Sequence, residues 1–346
     1  MLSNLLHKGA VALVVAVPAF LLHAMPASAQ KETPKEKLDQ LYNLAKSEGE
    51  VIWAASTPSP SIAAVFGARF PGIKLTAIHL PAPQLVPRLL TESAAKRVSI
   101  DVGTGSLGRA RPLNERDLFV VQDYTGTGVD PKDVIVGGRL VIVNDIMGGW
   151  IYNVRNVAPA DVPRAHDDLL KPRFKGKIAI EQRASGSTLW NAMPKDEMTA
   201  YLGKIRQQGP IFLPVNQALD RVARGESDIT QAVSFNTAVK AKQQGAPIDI
   251  APVSPIYNSI QGLFTIKGLQ HPNAAKLFIV WATGTEEGRK ALADSDIGRY
   301  TKCGPKPIEQ WLCDKNVEIY AIDTLEKAAL DDELEPLKLK ALGIEK

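Results

Sequence analysis

The sequence predicts an α/β protein with a largely parallel sheet, divided into two domains, on three observations. Short apolar and β-branched runs alternate with segments of helical periodicity, the pattern that places helices against the faces of a parallel sheet. The length of 346 residues suits two domains at roughly 150 residues each, and each is large enough to bury its own core. A composition of 45% hydrophobic and 23% charged residues is that of a globular chain and excludes a disordered or collagen-like one. The 41 basic and 37 acidic side chains leave a formal charge of +4, spread without long single-sign runs. A dedicated nucleic-acid binder would concentrate Lys and Arg on one face, so nucleic acid is not an expected partner.

Residues 1–29 read as a secretory signal peptide. Lys8 is their formal charge, residues 9–22 are apolar apart from the Pro18 break, and Ala27-Ser28-Ala29 is a small-residue cleavage site before Gln30. The fourteen residues of that apolar stretch span about 21 Å of helix against about 30 Å of hydrocarbon, too little for an anchor. No later segment has eighteen uninterrupted apolar residues, so the mature chain is expected to be exported, soluble and free of the membrane.

Along the mature chain, residues 35–47 carry the spacing of an amphipathic helix, and Gly49 sits where a helix stops. Residues 50–55 are a short apolar strand, 56–60 a Ser/Thr/Pro loop, 61–70 a helix, and 73–78 a strand after the Pro71-Gly72 turn. A helix is expected over 85–95 and a strand over 99–102, with Gly103-Thr104-Gly105-Ser106 as the loop beyond it. Residues 138–153 read as two extended segments interrupted by Met147-Gly148-Gly149. A strand over 177–180 leads to Arg183 and Ser185-Gly186-Ser187-Thr188, a helix covers 218–224, and a strand over 229–233 reaches Ser234-Phe235-Asn236.

Any strand-to-helix turn contains Ser, Gly, Thr and Asn, for capping and for turn geometry. Here, however, four strands end this way, and open α/β sheets bind ligands outside the carboxyl ends of their strands. Helix N-termini at such ends present unpaired N–H groups that favour an anion.

Catalytic signatures are sparse. His79, His166 and His271 survive signal removal, unpaired, and there is no H-E-x-x-H, G-x-S-x-G or P-loop motif. An enzyme is therefore not expected, nor is a cofactor. The competing reading is a nicotinamide oxidoreductase. Gly103-Thr104-Gly105-Ser106-Leu107-Gly108 fits G-x-G-x-x-G, and Asp123 follows at a dinucleotide-like distance. Against it, residues 109–117 are short for the required helix and carry Pro112. Cys303 and Cys313, in an oxidising compartment, are expected to form a structural disulfide; a metal pair or redox thiol would favour C-x-x-C spacing.

Several stretches together resemble the periplasmic extracellular solute-binding proteins of ABC importers, a family that includes the ferric-iron-binding proteins. They are residues 49–56, FGARFPGIKLT at 66–76, Asp101-Val102-Gly103, Ile151-Tyr152-Asn153, residues 168–179, Gly225-Glu226, and HPNAAKLFIVWATGTEEG within 267–288. The resemblance implies the type 2 periplasmic binding fold, two α/β lobes joined by extended hinge strands with the ligand between them. Lobe 1 would comprise 30–145 and 262–346, and lobe 2 would comprise 146–261, with crossings near 141–153 and 253–263. It also implies a small-molecule ligand and a membrane-embedded ABC permease as partners, and a monomeric receptor.

Iron-binding members use adjacent tyrosines, and this chain has no Tyr-Tyr dipeptide; Tyr124, Tyr152 and Tyr257 are scattered. The expected ligand is instead a small organic anion. Ser56, Thr57, Thr104 and Ser106 would hold it from lobe 1, and Arg183, Ser185, Ser187 and Thr188 from lobe 2, with Tyr152 and Tyr257 near the hinge. No protein-bound metal is expected; ferric iron is the alternative cargo.

Overall fold

Fourteen-residue strand β5 organises the molecule, which is available as a computed structural model describing residues 32–344 apart from 57, 183–186 and 301–302. The signal peptide expected over residues 1–29 lies outside the described residues. The strands are β1 (Glu50–Ala55), β2 (Lys74–His79), β3 (Val102–Ser106), β4 (Val134–Ile135), β5 (Leu140–Asn153), β6 (Ile178–Glu181), β7 (Ile211–Leu213), β8 (Ile229–Ser234), β9 (Ile248–Ala251), β10 (Ile256–Phe264) and β11 (Ile319–Ala321). The helices are α1 (Pro34–Ala45), α2 (Pro60–Arg69), α3 (Ala82–Ala94), α4 (Leu107–Glu115), α5 (Lys195–Gln207), α6 (Val215–Ala223), α7 (Phe235–Gln243), α8 (Pro272–Gly284), α9 (Glu286–Ala293), α10 (Pro307–Asp314) and α11 (Leu325–Leu342). The alternation read from the sequence is therefore present.

Local chemistry explains the boundaries. Thr33 caps α1 in a reciprocal capping box with Glu36, with Pro34 at the first turn. Helix α8 starts at Pro272 and buries residues on nearly every side, from Ala274 to Thr283, which makes it the central helix of the first half. Thr285 ends α8 and caps α9. Three helices run through a proline, α3 at Pro87, α4 at Pro112 and α11 at Pro336. The expectation that Pro112 disrupts the segment is corrected here: in a nine-residue helix it removes one bond, to the Gly108 carbonyl, and the rest of the turn holds.

Strands β5 and β10 run antiparallel and form a spine shared by two half-sheets. The first half-sheet is β2-β1-β3-β10-β5, with β4 on the far edge of β5. The second continues along the same spine: β9 precedes β10 as partner of β5, β11 pairs the start of β10, and β8, β6 and β7 follow on the other edge of β5. Strand β5 was expected as two segments, yet it passes through Met147-Gly148-Gly149 without a break, the irregularity falling in its pairing with β8 between Gly149 and Ile151. The physical reason is cross-strand support on both edges, which holds the two glycines extended. Gly262 is required for close approach: a Cβ there would lie 1.8 Å from Leu140 Cδ2.

One core lies under β1, β3 and α8. In it the Trp53–Phe278, Phe66–Phe278 and Phe66–Trp281 ring centroids stand 5.2, 5.6 and 5.3 Å apart, in tilted or edge-on geometry. A second core gathers Trp150, Leu169, Phe174, Trp190, Tyr201 and Ile229 under β6 and β8. The chain after α9 departs from the boundary expected for residues 262–346. Leu334 and Leu342 of α11 pack in the second core, and Leu312 and Val317 pack with Ile248 and Ile256 of the second half-sheet. Apolar positions along α11 face α5, which draws the C-terminus to that side. Its tie to the first half is Arg111 of α4, 2.5 Å from Asp332.

Candidate functional site

The register of the spine defines a cleft. Strand β3 is antiparallel to β10, which is antiparallel to β5, so β3 runs along β5 and ends with Ser106 opposite Gln261, which is opposite Asn144. Strand β8 is antiparallel to β5 and ends with Ser234 opposite Gly148. The carboxyl ends of the two half-sheets therefore point at each other across four residues of β5, roughly 13 Å. This is the ligand position for an open α/β sheet, met here from both sides.

The two ends are built alike. Ser106 caps α4, accepting from Arg109 N at 3.4 Å, and Ser234 caps α7, accepting from Thr237 N at 3.3 Å. Each cap leaves a helix N-terminus starting at the gap, where its partial positive charge favours an anion. On the floor between them Ser106, Gln261 and Asn144 form a row of directly opposed, half-buried polar residues on one face, with Ser259 one step further along β10. Gln261 Nε2 donates to Ser259 Oγ at 3.3 Å.

A segment after α9 closes one side of this gap. Between β4 and β8 the edge of β5 has no strand partner among the described residues, and residues 298–300 take its place. Asp145 N donates to the Gly298 carbonyl at 3.0 Å, Gly298 N to Asn144 Oδ1 at 2.9 Å, and Tyr300 N to Asp145 Oδ2 at 2.8 Å. Asp145 is 1% exposed and also accepts from Arg299 Nε at 2.8 Å and Asn258 Nδ2 at 3.0 Å, so its buried oxygens are well supplied with donors. The same segment touches both halves: Ser295 bonds Ser59 Oγ at 2.9 Å in the β1–α2 loop, and the Tyr300 hydroxyl donates to Asn236 in the first turn of α7. Burial pushes the Tyr300 hydroxyl pKa up, so it stays a donor.

The expected site residues are placed unequally. Ser56 is exposed just past the carboxyl end of β1, and Thr57 beside it lies outside the described residues. Thr104 and Ser106 lie in strand β3, where a loop was expected, because Gly103 and Gly105 allow close pairing with Phe264 and Gly262. Thr104 Oγ1 accepts from Trp53 Nε1 at 2.7 Å, which makes it partly a core group. Arg183 and Ser185 lie outside the described residues. Ser187 begins a 3-10 turn, Ser187–Ala192, and Thr188 is its second residue.

Tyr257 lies opposite Gly148, at the rim of the gap but 7% exposed, and burial first, then the charge of Glu181, raises its hydroxyl pKa. Tyr152 is corrected. It pairs with Ile229 at the start of β8 and with Asp249 of β9, four residues beyond Gly148 and away from the gap, because β5 outruns the cleft. Tyr124 is buried in the first core, so the three tyrosines do not meet. Cys303 and Cys313 are disulfide-bonded with their Cα atoms 4.8 Å apart, as expected.

Sequence reasoning missed Asn144, Ser259 and Gln261. A signal existed: each is a polar residue inside an otherwise apolar strand, in VIVNDI and NSIQGL. Among the described residues no group of three or more His, Cys, Asp or Glu is arranged to hold a metal ion. Nor does any described helix have the length and apolarity to cross a membrane.

Two half-sheets on a shared antiparallel spine, with facing strand ends that cap helices, define a two-lobed periplasmic-binding-protein fold. Residues 61–301 match the family described as bacterial extracellular solute-binding protein, and the chain belongs to that family. The structure is similar to iron-bound HitA of Pseudomonas aeruginosa, at a TM-score of 0.67 and 18% identity, covering 84% of this chain and 99% of that one. It is also similar to the periplasmic binding protein AfuA of Actinobacillus pleuropneumoniae, with exogenous fructose-6-phosphate bound, at a TM-score of 0.62 and 17% identity, covering 85% and 98%. An uncharacterized protein of Haemophilus influenzae is 26% identical over 145 residues, which span 39% of this chain and 42% of that relative. The family is described by solute binding, and the two similar structures hold iron and fructose-6-phosphate.

Proposed function

We propose that this protein is the periplasmic receptor of an ABC importer, capturing a small organic anion by closure of two lobes and delivering it to a membrane permease. The observation that carries this reading is the convergence of Ser106 and Ser234, each at a strand end and each opening a helix, across the Asn144–Gln261 floor. Ligand would touch Ser56, Thr57, Thr104 and Ser106 from one side and Arg183, Ser185, Ser187 and Thr188 from the other, so both sets engage only when the lobes close. The lobes divide along β5 and β10, residues 1–29 are a cleaved export signal, and the receptor works as a monomer.

An anion rather than ferric iron is supported by the separation of Tyr124, Tyr152 and Tyr257, and by a floor of hydroxyls and amides. The G-x-G-x-x-G stretch supports no dinucleotide loop, because Gly103 and Gly105 pair within β3 and Gly103 packs on the Phe264 ring.

Native and denaturing mass spectrometry of protein taken from its host's periplasm tests the reading. An organic mass increment is expected, and an increment equal to iron would overturn the ligand class. Arg183→Ala should weaken the captured anion by about 1.5 to 3 kcal/mol, and unchanged affinity would remove Arg183 from the site.

A further inference from the structure

A cavity of about 230 Å³ lies between β5, the α8–α9 corner, residues 297–299 and Lys306, and it shares no residue with the cleft floor. Its floor is apolar, with Ile142 of β5, Leu292 and Ile297 among its lining. Three cations border it, Arg289, Arg299 and Lys306, against the single carboxylate of Asp133.

Charge matching around the cavity is uneven. Arg299 is satisfied twice over, by Asp145 at 2.8 Å and by Asp133. Arg289 donates Nη1 to the carbonyl of Thr283 at 2.9 Å, and Lys306 donates Nζ to the carbonyl of Arg299 at 2.8 Å. Among the described residues neither has a carboxylate within ion-pair distance. Carbonyls leave the charge of both cations unmatched, and an ammonium with three donors and a guanidinium with five retain N–H groups to give. Lys306 also lies 4.5 Å over the Tyr300 ring, which holds its head in place.

We propose that this cavity is a second small-molecule site, for a compact carboxylate whose oxygens meet Lys306 and Arg289 and whose hydrocarbon body lies on Ile142, Leu292 and Ile297. The apolar floor selects against fully hydrated inorganic anions, since nothing on that surface replaces their water. The site has a lining separate from the cleft floor, although Gly298 and Arg299 beside it also bond Asn144 and Asp145, and its bound carboxylate packs directly on the hinge strand β5.

Fluorine NMR titration of the purified protein with 4-fluorobenzoate tests this. Saturable binding is expected, undiminished by equal inorganic sulfate. Lys306→Gln and Arg289→Gln should each weaken it about tenfold, the loss of one charge-assisted hydrogen bond. Ala293→Phe, which fills the cavity from an exposed position at the end of α9, should abolish binding, whereas the cleft variant Gln261→Ala should leave it unchanged. Absence of saturable binding, indifference to all three cavity variants, displacement by sulfate, or loss with Gln261→Ala would each overturn the proposal. The cleft reading is separately judged by the mass of its own cargo.

Discussion

In the core under β1 and α8, Trp53 Nε1 donates to Thr104 at 2.7 Å and Trp281 Nε1 to Glu287 at 2.9 Å. In the core under β6 and β8, neither Trp150 Nε1 nor Trp190 Nε1 has a partner among the described residues, and both ring nitrogens of buried His166 are likewise unmatched there. All four tryptophans are buried to the same degree. The difference teaches that equal apolar burial does not give equal stability, because an unmatched buried donor keeps its desolvation cost of about 1–3 kcal/mol. The first half is expected to be the sturdier one, and the second the first to open in hydrogen exchange.

The largest effect should come from the sturdier core. Trp281→Ala removes a ring at the centre of the Phe66–Phe278 cluster and should cost about 3–5 kcal/mol in denaturant unfolding. A smaller loss than that of Trp190→Ala would break the comparison.

Acid should act on the other half. Burial lowers the His166 pKa to about 4, against 6.5 for the free group, the charge of Asp167 opposing weakly. Between those values the unfolded chain binds a proton that the folded chain does not. Stability is therefore intact above about pH 6.5 and falls as pH drops toward 4, by about 3 kcal/mol in all. His166→Leu should flatten that part of the stability profile, and an unchanged slope would assign it elsewhere.

The spine belongs to both halves. Gly262→Ala forces a methyl into Leu140 and should cost about 1–3 kcal/mol, lowering one shared transition and not splitting it. The smallest and sharpest test is a matched pair. Trp53→Phe and Trp190→Phe lose the same volume, but only the first loses a hydrogen bond. It should be the costlier by about 1 kcal/mol, and equal costs would show that the unmatched indole is not a liability.

Much of the local structure was legible because its causes are local. The Gly49 stop and the Pro71-Gly72 turn are each read within one turn, the helix expected over 61–70 is Pro60–Arg69, and the expected elements fell within a few residues of their places. Errors came where a partner strand decides. Residues 103–106 look like a loop until Phe264 and Gly262 lie beside them, and Gly148-Gly149 looks like a break until both edges of β5 are paired. Tyr152 looked hinge-like because a strand's length along the cleft is invisible without its register.

By itself the sequence determined an α/β chain with serines at strand ends and a disulfide near the C-terminus, since composition and short-range spacing carry those. Only the tertiary structure decided that Ser106 and Ser234 face one another, that Asn144 and Gln261 lie between them, and that α11 joins the second core. Those facts depend on register between strands far apart in the chain. A shift of a single residue there would turn every side chain to the opposite face.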